Sequence, residues 1–320
     1  MKYVVSATPE LVARYGRLFV NRAAYTLQSM QPDPESGRHH YYRPKAQKTG
    51  QELALNAATI RRHLQGDITI GLYAINPVTQ RSKWVAIDAD YDAAMEDLLN
   101  LQYSLQQDKV DAALEMSRRG GHLWIFMGQP ALARTCRIYI YNLALKLGMK
   151  IKGRGLAEGI EVFPKHDELG PGQYGNAIRG PLGVHRGAGR RYWFYGADYD
   201  LAKQMAYLDG LRKVSEGQLR SLTVDQTMPP EFERQPNPPA KAFIHSSGRE
   251  FRILDHIGKV RSIGRNYVTR CPSCAEAGRD LSGDNLAISI EDPRKYLCWA
   301  GCSRDMIRRA VGCPIRARSA

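Results

Sequence analysis

The stretch Trp84–Asp90 (WVAIDAD) constrains the fold more than any other part of the chain. Its run of apolar and β-branched residues predicts a strand, and the side chains of a strand alternate between two faces. Asp88 and Asp90 would therefore project together from the face opposite Ile87. Because neighbouring carboxylates repel each other, such a pair on one rigid edge favours a site for a cation.

Hard divalent cations suit this pair best. Mg²⁺ takes oxygen ligands, commonly one or two carboxylates together with substrate phosphates. Asp92 extends the pattern towards a calcium-binding EF-hand loop, but that loop needs Gly and Glu where this chain has Ala93 and Leu99. These residues alone leave one alternative open, a solvated strand end with acidic residues before a helix.

The charge of the chain narrows the class of partner. Its 320 residues carry a net charge of +14, with a sequence pI of about 9.6. Such an excess favours a polyanion, with nucleic acid ahead of an anionic membrane. No segment resembles a transmembrane span, and the first residues are too few for the apolar region of a secretory signal. We therefore expect a cytoplasmic protein without a membrane partner.

A glycine turn separates two further predicted strands, Val110–Met116 and Leu123–Met127. The turn, Ser117–His122 (SRRGGH), combines a hydroxyl, two guanidiniums including that of Arg119, and an imidazole. Its glycines permit unusual φ values and exposed backbone N–H groups, so the turn suits phosphate oxygens. A plain basic hairpin is the alternative for this segment taken alone.

A second basic segment spans residues 175–195, where Gly and Pro recur and cations follow each turn. Arg179, His185 and Arg186 belong to it. Cations on a closely turning backbone are typical of a site for an anionic ligand, whereas a basic surface hairpin is the alternative. Before this segment, Glu161 lies between apolar residues of the predicted strand Gly159–Pro164. It is either solvent-facing or part of a site.

Four of the six cysteines form two closely spaced pairs, Cys-x2-Cys and Cys-x3-Cys, with 23 residues between the pairs. The four are Cys271, Cys274, Cys298 and Cys302. In a reducing compartment this spacing predicts a tetrahedral Cys₄ zinc site in a zinc ribbon. The remaining two, Cys136 and Cys313, are expected to be core residues.

The order of elements predicts the fold class. Helical periodicity is found near residues 9–30, 56–64, 93–106, 131–147 and 198–220. The strands at 67–75 and 84–90 are predicted to form a β-hairpin that presents Asp88 and Asp90 at its far end. We therefore expect an α+β protein with a mixed or antiparallel sheet, flanking helices and a small zinc-ribbon domain.

A proline-rich polar segment, residues 221–245, predicts a linker between two domains. The domain before it, residues 1–220, would carry the paired acids and the basic segments. The domain after it, residues 246–320, would be the zinc ribbon.

The motifs in this order resemble those of the archaeo-eukaryotic primase-polymerase superfamily. The closest likeness is to its bacterial branch of CRISPR-associated and conflict-system primases. Three phrases carry the resemblance: Ser117–Phe126, Glu161–Asp167 and Asn176–Arg186. Residues 266–312 separately resemble the zinc finger of bacterial and phage primases, although a Cys-x3-Cys knuckle stands where that finger usually has Cys-x2-Cys.

The resemblance implies a role for each candidate residue. Asp88, Asp90 and Glu161 would hold two catalytic Mg²⁺ or Mn²⁺ ions. Ser117, Arg119 and His122 would contact the phosphates of the incoming nucleotide. Arg179, His185 and Arg186 would bind its triphosphate, and the four paired cysteines would hold a structural Zn²⁺.

We therefore expect a nucleotidyltransferase that makes and extends primers on single-stranded DNA from NTPs or dNTPs. A helicase and proteins of CRISPR adaptation or replication are candidate partners implied by the resemblance. Two other classes stay open: a non-catalytic nucleic-acid-binding factor and a metal-dependent nuclease, which also uses paired acids. Nucleotide binding separates the nuclease from the polymerase.

Overall fold

The computed structural model describes residues 6–34, 37–152, 156, 158–230, 232, 251–278, 280 and 282–315. The chain divides into two units, Met1–Ile151 with Glu158–Pro230 and Lys152–Ala157 with Glu231–Ala320. Most of the predicted linker at 221–245 lies outside the described residues, so the limits of the predicted domains stay predictions. Within the described residues, no helix is both long and apolar enough to cross a membrane.

The first unit alternates helices with short strands. Its elements, in chain order, are α1 (Pro9–Phe19), β1 (Tyr25–Gln28), β2 (Tyr41–Tyr42), α2 (Ala57–Gln65), β3 (Ile70–Tyr73), β4 (Arg81–Ala89), α3 (Ala94–Gln107), β5 (Ala112–Met116), β6 (Gly121–Leu132), α4 (Ala133–Lys146), β7 (Glu161–Phe163), β8 (Ala177–Arg179), β9 (Val184–His185), β10 (Arg190–Arg191), α5 (Leu201–Gly210) and α6 (Glu216–Thr223). This content confirms the α+β class.

Two four-stranded antiparallel sheets dominate this unit. The first sheet has the strand order β2-β1-β3-β8, and the second has the order β5-β6-β4-β7. The predicted hairpin of β3 and β4 is wrong, because β3 pairs with β1 and β8 whereas β4 pairs with β6 and β7. Both strands are largely buried, so each needs a strand on either edge to pair its backbone groups. The turn after Asn76 carries the chain from one sheet to the other.

The predicted helix at 9–30 ends early. Thr8 caps α1, and Val20 already has an extended backbone. The side chain of Asn21 donates to the carbonyls of Tyr73 and Ala74, at 3.2 and 3.0 Å, which fixes the exit from the helix. The residues that follow then gain more from pairing with β3 as a central strand than from continuing the helix.

Aromatic packing joins α1 to the second sheet. Phe19, at the end of α1, packs edge-on against Trp124 and Phe126 of β6, with ring centroids 5.4 and 5.5 Å apart. Trp84 of β4 donates its indole N–H to the carbonyl of Phe19 at 2.8 Å. Burying each of these rings contributes about 1.5–3 kcal/mol, so the sheet under the candidate site has a rigid support.

The second unit is a small antiparallel sheet with two short helices. Its elements are β11 (Arg261–Ile263), β12 (Asn266–Thr269), α7 (Pro272–Glu276), β13 (Leu286–Ser289), β14 (Tyr296–Cys298) and α8 (Arg304–Ala310). The strands pair in the order β11-β12-β13-β14. A core with few apolar residues, among them Leu286, Ile288 and Ile307, surrounds the cysteines.

Candidate active site

One row of ionisable side chains crosses all four strands of the second sheet. Glu115, His122, Asp88 and Glu161 lie directly opposite one another on β5, β6, β4 and β7. Directly paired residues of antiparallel strands project from the same face, with Cβ atoms about 4.5–5.5 Å apart. The sheet thus brings three predicted site residues together and adds a fourth that the sequence analysis missed, Glu115.

Glu115 is wholly buried and makes three hydrogen bonds. Its carboxylate accepts from Nδ1 of His122 at 2.8 Å and from the indole of Trp124 at 3.2 Å. It also accepts from Arg179 of the first sheet at 2.7 Å. Burial opposes ionisation, but Arg179 and His122 hold the pKa of Glu115 below its usual value. A charged carboxylate therefore ties the two sheets together behind His122.

His122 lies between two carboxylates. Its Nε2 atom is 3.4 Å from Oδ1 of Asp88, while Nδ1 is held by Glu115. Burial lowers the pKa of His122, but Asp88 and Glu115 together raise it to about 9. The imidazole therefore carries a positive charge at neutral pH, with a fixed ring orientation.

Asp90 lies just past the end of β4 and faces the glycine turn. Oδ1 of Asp90 accepts from the hydroxyl of Ser117 at 3.4 Å, and Oδ2 lies 2.5 Å from Nη2 of Arg119. The turn is closed by a hydrogen bond from the backbone N–H of Ser117 to the carbonyl of Gly120 at 2.9 Å. Two predicted phosphate-binding residues therefore contact one of the predicted metal ligands.

The glycines of this turn serve close packing. Neither Gly120 nor Gly121 has a positive φ, so the expected unusual φ values are wrong for these two. A Cβ on Gly120 would lie 2.1 Å from the carbonyl oxygen of Ala89, and one on Gly121 would lie 2.9 Å from that of Glu115. Glycine lets the turn pack directly against the ends of β4 and β5.

The three predicted catalytic carboxylates each pair with a different cation: Asp88 with His122, Asp90 with Arg119, and Glu161 with Lys165. Each carboxylate remains partly exposed to solvent. Within the described residues their oxygens do not converge as a ready-made set of three ligands.

The donor set nevertheless fits hard divalent ions. Oxygen ligands on adjacent strands, open to solvent, are what Mg²⁺ and Mn²⁺ require. Each carboxylate already attracts one cationic side chain, and a divalent ion would have to compete with that side chain. Arg119 and Lys165 are long and partly exposed side chains, so both can give way to an ion.

The structure places Arg179 behind the row. Its side chain is buried, and its terminal nitrogens donate to Glu115 and, at 3.3 Å, to the carbonyl of Gly180. Arg186 donates to the carbonyls of Gly66 and Asp67. The guanidiniums of these two residues are thus directed to protein groups.

His185 is the last residue of β9 and caps the short turn that follows. Its Nδ1 atom accepts the backbone N–H of Ala188 at 3.1 Å, so the neutral ring carries its proton on Nε2. Burial, together with the charges of Arg179 and Arg118, lowers the pKa of His185 to about 4. At neutral pH His185 is therefore an uncharged hydrogen-bond donor.

The four paired cysteines meet in the second unit. Their sulfur atoms all lie within 4.8 Å of one another, and Cys274 lies 3.5 Å from Cys298 and 3.3 Å from Cys302. Zinc–sulfur bonds of about 2.3 Å place tetrahedral ligands about 3.8 Å apart, so the cluster fits one Zn²⁺. The side chain of Asp280 accepts a hydrogen bond from the backbone N–H of Cys271 at 2.7 Å and so orients the first cysteine pair. Cys136 is buried as expected, whereas Cys313 is only partly buried.

The family model for the archaeo-eukaryotic primase domain of TOTE conflict systems matches residues 21–222. The chain belongs to this family. The match covers both sheets of the first unit and every candidate residue of the row. It confirms the resemblance drawn from the motifs and identifies the protein as a member of a primase family of the nucleotidyltransferase type.

Two solved structures are similar to this chain. The catalytic domain of primase RepB′ in complex with initiator DNA shares 13% identity, with a TM-score of 0.32, over 63% of this chain and 94% of that one. The polymerase domain of Mycobacterium tuberculosis ligase D in complex with DNA shares 12% identity, with a TM-score of 0.25, over 69% and 88%. No curated protein matches the chain. The family assignment rests on the sequence match.

Proposed function

We propose that this protein is a template-dependent primase-polymerase, which starts and extends primers on single-stranded DNA by nucleotidyl transfer. The observation that carries the proposal is the row, in which Asp88 lies between His122 and Glu161 on one face of the second sheet. A protein that only binds nucleic acid gains nothing from carboxylates facing its anionic partner.

Asp88, Asp90 and Glu161 would hold the metal ions of the reaction. When bound, two divalent ions supply activation of the attacking 3′-hydroxyl and stabilise the leaving pyrophosphate. In this transfer the 3′-oxygen bonds to the α-phosphorus of the nucleotide while the bond from that phosphorus to pyrophosphate breaks, and the hydroxyl proton is released.

The chain's own cations would hold the triphosphate. His122, kept charged between two carboxylates, would donate to a phosphate oxygen from a fixed direction. Ser117 and Arg119 lie on the adjacent turn. On nucleotide binding, Arg119 would leave Asp90 and bind a phosphate, which would order the nucleotide. His185 would donate through Nε2. Arg179 and Arg186 add positive charge and orient their neighbours.

The cysteine cluster would bind zinc and make the second unit a primase-type ribbon that assists initiation. Helicase or CRISPR-associated partners rest on the resemblance alone.

The decisive experiment compares Asp88→Asn with the neighbouring exposed Asp92→Asn. Purified full-length protein is incubated with single-stranded template, labelled nucleotides and Mg²⁺ or Mn²⁺, with and without a primer. The wild type and Asp92→Asn should yield lengthened products, whereas Asp88→Asn should yield none at an unchanged melting temperature.

The same gels test the rival classes. Shortening of a labelled strand would identify a nuclease. A protein that binds the template but leaves the strand length unchanged would be a non-catalytic binding factor. That result must hold with either metal and with both NTPs and dNTPs. Either result would overturn the proposal.

A further inference from the structure

A cleft of about 420 Å³ opens at one end of the first sheet. It is bounded by the residues before β1, those after β2 and β3, and those before β8. Its polar side chains include Arg22, Arg43, Glu52 and Tyr174, and small residues such as Ala23 form other walls. We call it the Tyr174 cleft. Its volume is within the range of sites that bind small ligands.

The polar groups of the cleft hold one another in place. The guanidinium carbons of Arg22 and Arg43 lie 4.5 and 4.2 Å from the centre of the Tyr174 ring. Glu52 pairs with Arg43 at 2.8 Å through one oxygen and accepts the hydroxyl of Tyr174 through the other. Because these groups are already ordered, a ligand that stacks on them loses little extra side-chain entropy.

Both guanidiniums have donors to spare. A guanidinium carries five N–H groups. Among the described residues, Arg22 donates to the carbonyl of Gln173 at 3.3 Å, and Arg43 pairs with Glu52. Two cations therefore face a single carboxylate, and their remaining N–H groups suit a phosphate. The two guanidiniums cover the ring of Tyr174, and their outer faces lie beside these N–H donors. A flat face beside phosphate donors matches the two parts of a nucleotide, its base and its phosphate.

The cleft lies at the start of β1, where Tyr25 forms part of its wall. Tyr41 pairs with Gln28, the last residue of β1. Arg179, which contacts Glu115 of the row, pairs with Gly71 and so lies level with Thr26 of β1. Tyr42 pairs with Leu27. Arg43 follows Tyr42 and therefore lies nearer the start of β1. The three residue steps from Gln28 to Tyr25 span about 10 Å. The ring of Tyr41, which is 41% exposed, lies along this path.

We propose that the Tyr174 cleft binds one nucleotide unit of the single-stranded template, with its base on the outer faces of the Arg22 and Arg43 guanidiniums and its phosphate on their N–H groups. That the strand is the template rests on the proposed function. A short single strand that passes Tyr41 can occupy the cleft and the catalytic row together. The cleft thereby fixes the template a short distance from the point of synthesis, with little preference for sequence.

The test measures binding separately from synthesis. Full-length wild type, the double variant Arg22→Ala/Arg43→Ala and the control Arg212→Ala bind a fluorescent oligothymidylate, and anisotropy is followed over a series of salt concentrations. Arg212 forms a comparable exposed ion pair with Asp111 elsewhere in the same unit. The Michaelis constant for the nucleotide in primer extension is measured with the same proteins, and their folding is compared by circular dichroism.

The double variant should bind the oligonucleotide at least about tenfold more weakly, a loss typical of base stacking and charge together. The slope of log K against log salt should fall by about 0.7 for the lost phosphate contact. Arg212→Ala should bind like wild type, and the nucleotide constant should not change. If the double variant fails to fold, Arg43→Lys replaces it, with several-fold weaker binding expected at an unchanged salt slope.

Wild-type affinity in the folded variants would overturn the proposal. So would a raised nucleotide constant with unchanged oligonucleotide affinity, because the cleft would then bind free nucleotide. If the wild type lengthens no primer but the double variant still binds the strand more weakly, the cleft stands as a single-strand site and only the proposed synthesis fails.

Discussion

The Nδ1 atom of His122 lies 2.8 Å from the buried carboxylate of Glu115. This contact fixes the plane of the imidazole and leaves Nε2 facing Asp88 at 3.4 Å. The same carboxylate accepts from Arg179 of the first sheet, so the position of His122 depends on how the two sheets meet. Glu115 is thus a positioning residue for the candidate site.

Glu115→Gln should reduce primer extension by about tenfold to a hundredfold, the range for groups that orient a functional histidine. It should also lower the free energy of unfolding by about 3–5 kcal/mol, because Arg179 and His122 lose their buried counter-ion. Extension is measured well below the melting temperature, alongside Glu216→Gln, which changes a partly exposed, ion-paired carboxylate. Near-normal extension by folded Glu115→Gln would contradict the positioning role.

Lys165→Met should strengthen binding of Mn²⁺ at the row by about twofold to fivefold. Lys165 pairs with Glu161 and therefore competes with a cation, and a partly exposed ion pair of this kind contributes about 0.2–1 kcal/mol. Mn²⁺ binding is followed by electron paramagnetic resonance without nucleotide. Lys203→Met, which removes an exposed lysine paired with Asp198, is the control and should leave the affinity unchanged. Weaker Mn²⁺ binding in Lys165→Met would show that Lys165 supports the site.

The stability of the first unit should fall in mild acid because of His63. His63 is fully buried and hydrogen-bonds the carbonyl of Pro181 at 3.0 Å. Burial lowers its pKa to about 4 in the folded protein, against about 6.5 in the unfolded chain. The unfolded chain therefore binds the proton first. The stabilisation is complete above pH 6.5 and is lost as the pH falls towards 4.

The size of this effect is about 2 kcal/mol between pH 7.5 and pH 5. Urea unfolding at both pH values is compared between wild type and His63→Gln. The variant should be less stable at pH 7.5 but should lose less stability on acidification. An equal loss in both proteins would show that other groups, such as His185, carry the pH dependence.

Cys298→Ser should abolish stoichiometric zinc binding, because three thiolates and a hydroxyl hold Zn²⁺ poorly. The second unit has little core besides the cysteines, so its strands should lose their dispersed NMR signals. Cys313→Ser, outside the cluster, should retain both zinc and the signals. Zinc is measured by mass spectrometry of the native protein.

The same variant tests the role of the second unit in synthesis. Starting a primer requires two nucleotides on a bare template and is entropically costly, whereas extension has a paired 3′ end to hold. Cys298→Ser should therefore suppress formation of dinucleotides and leave extension of a supplied primer near normal. If Cys298→Ser starts primers as well as the wild type does, the zinc ribbon serves docking or targeting instead.

Local patterns in the sequence were sufficient for several features. The alternation around Ile87 predicts which face of β4 carries Asp88, because the period of a strand is fixed by its backbone. The spacing of the cysteine pairs predicts their convergence, since each pair forms one short turn. The helix at 56–64 was also predicted, and Asn56 caps it as α2. The primase family follows from motifs that combine these local features.

Other features were decided only by the tertiary structure. In the sequence, Glu115 is a single acidic residue within an apolar strand. Only the pairing of β5 with β6 and the contact with Arg179 make it part of the site. The sequence likewise favoured a hairpin between β3 and β4, which instead belong to different sheets. Which strands pair, and whether a charge is buried, depends on contacts between residues far apart in the chain, where hydrogen bonding and burial outweigh local preference.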